Sequence, residues 1–220
     1  MADTVTGLAA VLWDMDGTLV DTEPYWIEAE YEIAAAYGGT WSDEHALALV
    51  GNDLLVSGRY LREHAGIDVE PEVIVEMLLD RVVARVEEKV PWRSGAVELL
   101  ADLRGHGVPC ALVTMSYRRF VEPILAGLPE GSFDAVITGD EVTRGKPHPE
   151  PYLAAAAVLG VDPSSTVAIE DSDTGARSAA AAGSTVVVVP NHVAVPAGPG
   201  RHFADLQALD FVALAGLLAG

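Results

Sequence analysis

Five short runs of the chain are apolar without alternation: Leu8–Trp13, Val108–Thr114, Phe133–Thr138, Thr166–Glu170 and Ser184–Pro190. A run that is apolar on both faces reads as a strand buried in a parallel sheet, because helices cover both sides of such a sheet. Between the later runs, apolar residues recur at helical spacing. Val97, Leu100 and Leu103 share one face of a helix that Ser94 is expected to N-cap, with Gly105 and Gly107 behind it. Tyr117–Ala126, Glu150–Leu159 and Ser172–Ala182 read the same way, the last followed by Gly183, and Phe211–Leu218 reads as a closing helix. Strands and helices alternating at this spacing predict an α/β fold with a doubly wound parallel sheet.

The interval from Leu19 to Trp92 breaks the alternation. It shows no strand pattern, only helices punctuated by Gly38-Gly39, Gly51 and Gly66. Trp26, Ala29, Ile33 and Ala36 are expected to share a face, Ser42 before Asp43 and Glu44 is a helix start, and Pro71 suits a first helical position. A connection of this length needs a small core of its own. The expected organisation is an α/β core of residues 1–18 and 93–220, with a helical cap at 19–92 inserted over the strand ends.

Composition narrows the function. The chain has 220 residues, 50% of them hydrophobic, enough for a sizeable core, and a formal charge of -20. Such a charge removes the electrostatic basis for general nucleic-acid or anionic-membrane binding. An acidic protein that handles phosphate must attract it locally, with a metal or a few placed cations. With Cys110 the single cysteine, no intramolecular disulfide forms. No apolar segment approaches the ~20 residues of a membrane span, and the first residues lack the basic region of a signal peptide. A cytoplasmic location is expected.

The strand ends carry the chemistry. Asp14 and Asp16 end the first apolar run, Thr114 ends the second, Lys146 follows the third, and Glu170 with Asp171 ends the fourth. In open α/β sheets ligands collect outside the carboxyl ends of the strands. A hairpin at Asp16-Gly17 is weakened by the lack of an alternating strand after Thr18, and a calcium loop fails at Thr18, Leu19 and Tyr25. A solvated polar strand end stays open for the first pair taken alone. The other groups also have ordinary explanations: Thr114 suits a strand, Ser116 can cap a helix, Lys146 can be a solvated cation, and Asp171, Ser172 and Asp173 can cap a helix. Their arrival in order at successive strand ends is what points to a site. A cysteine phosphatase would need Arg six positions after Cys110, where Ser116 stands, and the surroundings of His148 offer no zinc spacing. A phospho-accepting receiver carries its acidic pair before the accepting Asp and has no large cap.

With "DMDGT" (Asp14–Thr18), "VTMS" (Val113–Ser116), "GKP" (Gly145–Pro147) and "EDS" (Glu170–Ser172) in this order, the chain resembles the haloacid-dehalogenase-like superfamily, in its β-phosphoglucomutase and phosphoglycolate-phosphatase branch. The resemblance implies a helical cap after the first motif and a magnesium-dependent phosphatase acting on a small phosphorylated metabolite, such as a sugar phosphate. It implies that Asp14 is the nucleophile that becomes an aspartyl-phosphate and that Asp16 is the general acid and base. Asp14, the backbone carbonyl of Asp16, Asp171 and Glu170 would hold Mg²⁺, for which oxygen ligands are suited. Lys146, the Thr114 hydroxyl and the backbone amides of Met115 and Ser116 would bind phosphoryl oxygens. Cap residues Glu23, Asn52, Asp53 and Arg59 are expected to select the substrate, with Arg93 and Arg118 reaching towards it. A sugar-phosphate mutase is the alternative, against which stand Trp26 and the region of Leu54, where mutases of this branch look to need a His and a basic residue. A phosphate-binding regulator is the non-enzyme alternative. A monomer is favoured over an oligomer.

Overall fold

The computed structural model describes residues 7–50 and 52–218; Gly51 lies outside them. All five apolar runs contain strands: β1 (Ala10–Trp13), β2 (Cys110–Val113), β3 (Ala135–Ile137), β4 (Thr166–Glu170) and β5 (Thr185–Val188). A two-residue strand, β6 (Arg201–His202), adds to β5 and had no pattern to announce it. Among the described residues the sheet order is β3-β2-β1-β4-β5-β6 with every pairing parallel, so the expected α/β class holds. Every residue of β1, β2 and β4 is buried, which the two-faced apolar runs require.

Between the strands run α5 (Ala96–Gly105), α7 (Glu150–Leu159) and α8 (Asp173–Ala182), and α9 (Phe211–Gly216) follows the last strand. Their small residues let them pack closely. Ala155 of α7 and Ala176, Ala179 and Ala182 of α8 join Leu12, Val113, Ala168 and Val188 of the strands in one apolar cluster. Ser172 caps α8, its hydroxyl accepting the Gly175 amide, and Gly183 ends that helix at φ 99°. Ser94 does not cap α5. Gly95 precedes that helix instead, at φ 83°, with the backbone of Leu206 and Gln207 so near that a Cβ there would lie 2.8 Å from the Gln207 nitrogen. The Ser94 hydroxyl accepts a hydrogen bond from the Gln207 side chain at 2.8 Å.

Contacts divide the chain into two compact units. One comprises the chain up to Asp21, Trp92–Tyr117 and the chain from Leu128 onward; the other comprises Thr22–Pro91 and Arg118–Gly127. The second unit is helical: α1 (Glu23–Ala36), α2 (Asp43–Leu49), α3 (Leu54–His64), α4 (Pro71–Glu88) and α6 (Arg118–Ala126). Pro71 opens α4, and Ser42 caps α2 by accepting the His45 amide, as the sequence predicts. The unit also takes in α6, a helix that sequence order places with the core. Within it, Trp26 meets Phe120 edge-on at 5.2 Å, and Arg119 pairs with Glu76 and Asp80 of α4. Arg85 bridges Glu28 and Glu32 at 3.0 and 2.6 Å. The buried face of α1 is Ala29, Glu30, Ile33 and Ala34; Ala36, expected on that face, is exposed. No described helix is long and apolar enough to cross a membrane.

Glu30 is the exception in that buried face. It is 5% exposed and accepts a hydrogen bond from the Trp41 indole at 3.1 Å. Burial, aided by repulsion from Glu23 and opposed by the Trp41 bond, raises its pKa from 4.5 to about 8. The folded state therefore holds a proton that the unfolded chain releases, and stability present below the unfolded value is lost as pH rises through about 8. The melting temperature should fall across this window, at a free-energy cost of roughly 1.4 kcal/mol per pH unit. Glu30→Gln, which mimics the protonated form, should flatten that fall when melting is followed from acid to mildly alkaline pH.

Candidate active site

Strand register assembles the site. Trp13 pairs with Leu112 on one side and Ile169 on the other, so Asp14 comes level with Val113 and Glu170. The Asp14 amide still donates to the Ile169 carbonyl at 3.0 Å. The chain then turns tightly, with the amides of Thr18, Leu19 and Val20 all returning to the Met15 carbonyl. Gly17 makes the turn at φ 85°, and a Cβ on it would lie 1.9 Å from Asp171 Oδ2. Glycine is required here both for the backbone conformation and for the approach of a carboxylate.

Lys146 is the counter-charge. Its side chain is 6% exposed, and Nζ donates to Asp14 Oδ1 at 2.6 Å, Glu170 Oε1 at 2.7 Å and the Val113 carbonyl at 2.9 Å. These are all three donors an ammonium has. Burial opposes its charge, but Asp14 and Glu170 prevail and hold its pKa above the ordinary lysine value. The Tyr152 hydroxyl also donates to Glu170 Oε1, and its ring lies 5.1 Å from the ammonium. Glu170 Oε2 accepts from the Ser172 hydroxyl at 3.2 Å. Gly175 makes room for this carboxylate, since a Cβ there would stand 1.9 Å from Glu170 Oε1.

Asp16 has different neighbours. Its Oδ2 accepts from the Ser116 hydroxyl at 2.7 Å and the Thr114 hydroxyl at 3.3 Å, while Thr114 Oγ1 takes the Ser116 amide at 3.0 Å. Asp14 keeps one oxygen, Oδ2, buried with no hydrogen-bond partner. Carboxylate oxygens of Asp14, Glu170 and Asp171 lie within 4.8 Å of one another. Burial first, then repulsion from Asp14, raises the pKa of Glu170, and the same causes with Glu170 added raise Asp171 well above the carboxylate range. An unpartnered buried oxygen among crowded acids is what a hard divalent cation fits.

The same chain order is found in known proteins. A family model described as haloacid dehalogenase-like hydrolase matches residues 8–183. The chain belongs to the haloacid dehalogenase-like hydrolases. It is similar to hexitol phosphatase B of Escherichia coli K12, at 35% identity over 83% of this chain and 84% of that one. It is also similar to the fructose-1-phosphate phosphatase YqaB of the same organism, at 33% identity over 82% and 96%. Among solved structures, CbbY from Rhodobacter sphaeroides in complex with phosphate superposes with a TM-score of 0.85 at 29% identity, covering 94% of this chain and 99% of that one. As a haloacid dehalogenase-like hydrolase of this branch, with its helical region inserted after the first motif, the chain is a phosphoric monoester hydrolase.

Asp14, Asp16, Thr114, Ser116, Lys146, Glu170 and Asp171 thus come together at one sheet edge of the haloacid dehalogenase-like core. Met115 joins them through its sulfur, which accepts the Lys146 amide at 3.2 Å. Arg93 does not point outward for a ligand: its guanidinium donates to the carbonyls of Gly17, Val189 and Pro190. Asn52 donates to the Ala48 carbonyl at 2.9 Å, and Asp53 caps α3 by accepting the amides of Leu55 and Val56. Glu23, Arg59 and Arg118 also belong to the helical unit. His148 Nδ1 accepts the Glu150 amide at 3.1 Å. Cys110 is buried, and burial pushes its thiol up to about 12, which makes it unreactive. Tyr152 escaped the sequence reading; the signal was a lone aromatic in the alanine-rich stretch directly after "GKPHPEP".

Gly175→Ala tests how tightly Glu170 and Lys146 are held. Helix propensity alone favours Ala by about 1 kcal/mol, but the new Cβ would displace Glu170 and with it Lys146. The variant should melt cooperatively yet lose about tenfold or more in kcat for phosphate-ester hydrolysis, measured as released phosphate.

Proposed function

We propose that the protein is a magnesium-dependent phosphatase of small phosphorylated metabolites, sugar phosphates foremost, working through an aspartyl-phosphate on Asp14. The observation that carries this reading is the split between the two acids. Asp14 is held by Lys146 through one oxygen and keeps the other unpartnered, while Asp16 is held by the hydroxyls of Ser116 and Thr114. The names of similar proteins, which print hexitol phosphatase and fructose-1-phosphate phosphatase, support the substrate class.

Asp14 attacks phosphorus through its carboxylate, and the bond from phosphorus to the ester oxygen breaks. Asp16 begins as the acid and gives its proton to the departing alkoxide. The resulting Asp16 carboxylate takes a proton from water, which attacks the phosphorus of the aspartyl-phosphate. Phosphate leaves and Asp14 is again a carboxylate. Lys146 holds the nucleophile and places positive charge beside the transferring phosphoryl group, with the Thr114 hydroxyl and the Met115 amide on the other side. The Ser116 amide is committed to Thr114, so Ser116 acts through its hydroxyl on Asp16. Asp14, Asp171, Glu170 and the backbone carbonyl of Asp16 are the groups that would hold Mg²⁺, which when bound supplies neutralising charge for nucleophile and phosphate. Residues of the helical insertion, Glu23 and Asn52 among them, select the substrate. A sugar-phosphate mutase is the weaker reading, because Trp26 stands where a His would serve it and packs on Phe120 instead.

Hydrolysis should require Mg²⁺, and Ca²⁺ should inhibit, because a larger ion with looser geometry misplaces the nucleophile. A panel of hexitol, hexose and pentose phosphates with and without chelator reads both the metal and the substrate class; full activity in excess chelator would remove the metal from the scheme.

The two acids should fail differently. Asp14→Asn should abolish both burst and steady turnover. Asp16→Asn should be nearly inactive on sugar phosphates but retain phosphoryl transfer from an aryl phosphate with an acidic phenol, which needs no proton to leave. Mass spectrometry should then find one added phosphoryl group on the peptide containing Asp14. Turnover retained in Asp14→Asn and lost for every leaving group in Asp16→Asn would reverse the roles.

A further inference from the structure

The site is built from two backbone segments, the turn after β1, with Asp14 and Asp16, and the end of β4, with Glu170 and Asp171, and Lys146 joins them through their carboxylates. Arg93 spans them. Its Nη1 donates to the Gly17 carbonyl in the turn and to the Val189 carbonyl at 3.2 Å, and its Nη2 reaches the Pro190 carbonyl at 3.5 Å. The Val189 amide in turn donates to the Glu170 carbonyl at 2.7 Å. One guanidinium therefore fastens the turn behind Asp16 to the chain bonded to the end of β4. Arg93 is itself anchored, because its amide donates to the Leu19 carbonyl at 3.0 Å. Its donors meet carbonyls, so no substrate contact is needed to explain them.

We propose that Arg93 is a positioning residue: by clamping the carbonyls of Gly17, Val189 and Pro190 it sets the spacing between Asp14 and Asp171 on which cation binding and nucleophile placement depend. This rests on the phosphatase reading above. The contact that demands such control is the approach of Gly17 to Asp171, where a Cβ would come within 1.9 Å of Oδ2. Glycine leaves room for that carboxylate, and the spacing of the two segments decides how close it comes. An arginine suits the task and a lysine does not, because a planar fork bridges several carbonyls at fixed angles and an ammonium on a flexible stem does not.

The test uses the full chain with Arg93→Met, which keeps the stem and loses the donors, and Arg93→Lys, which keeps the charge and loses the fork. Mn²⁺ serves as the probe of the acidic cluster, counted by the electron paramagnetic resonance of the free ion, and hydrolysis of an aryl phosphate and thermal melting are measured alongside. Arg93→Met should bind Mn²⁺ about tenfold or more weakly, and its kcat at saturating metal should fall by a similar factor. KM for the ester should stay within about twofold, because Arg93 does not touch substrate. Arg93→Lys should fall between the two proteins. If Arg93→Met does not fold, Arg93→Lys decides alone, and wild-type Mn²⁺ affinity there overturns the clamp. Unchanged Mn²⁺ affinity with a raised KM would make Arg93 a substrate ligand. Unchanged affinity and kcat with a lowered melting temperature would make it structural only. A wild-type protein that binds Mn²⁺ but hydrolyses no phosphate ester refutes the phosphatase reading, while the affinity ratio still judges the clamp; one that binds no Mn²⁺ overturns both.

Discussion

The ammonium of Lys146 sits 6% exposed between Asp14 and Glu170, with its third proton on the Val113 carbonyl. Removing these charges from water is costly, and a buried pair of this kind is weak support for stability. Its value is local. Parallel register brings the carboxylates of Asp14, Glu170 and Asp171 within 4.8 Å, in a chain whose formal charge is already -20. Burial and mutual repulsion raise the pKa of Glu170 and Asp171, and the Lys146 ammonium draws both back. Tyr152 and Ser172 complete the hydrogen bonding of Glu170.

That saturation of Glu170 divides the acidic cluster by function. Both of its oxygens are engaged by protein donors, whereas Asp14 Oδ2 has none. Asp14 Oδ2 is thus the oxygen of the cluster with no protein donor, and Glu170 would reach a cation only by exchanging one of its donors. Protons compete with a cation for such oxygens, so metal affinity in this cluster is tied to pH. Glycines at positions 17 and 175 are part of the same arrangement, because each leaves the volume that a carboxylate fills. The cluster is thus as much a backbone construction as a side-chain one.

The core and its strand-end residues were legible because two simple rules coincide there. A strand apolar on both faces marks its own end by the first charged residue, and parallel pairing then brings successive ends level, as Trp13 with Leu112 and Ile169 shows. Features set by a partner from elsewhere in the chain were not legible. Ser94 looks like an N-cap, yet the backbone of Leu206 and Gln207 selects Gly95 for the helix start. Ala36 has the right spacing for the buried face of α1 yet is exposed, while the charged Glu30 is buried there with the Trp41 indole as its donor. Asn52 and Asp53, expected from sequence to face the substrate, also bond the local backbone, which no periodicity announces. The partners of Arg93 lie 76 residues before it and 96 and 97 after it, beyond any periodicity, and β6 is too short for an alternating pattern to register.

The division of labour proposed for Asp14 and Asp16 would have its origin in the same backbone. Residues two apart on a strand point to one face and would share an environment. Here the strand stops at Trp13, and the chain winds so that the Met15 carbonyl collects the amides of Thr18, Leu19 and Val20. Asp14 stays level with β4 and meets Lys146; Asp16, one turn further on, meets the hydroxyls of Ser116 and Thr114 from the end of β2. In the proposed scheme the carboxylate beside the ammonium is the nucleophile. One beside hydroxyls, which can both give and accept a hydrogen bond, can pass between acid and base without leaving an unpaired partner. Identical side chains acquire different chemistry because the turn gives them different neighbours, and Gly17 is the residue that lets the turn form so close to Asp171.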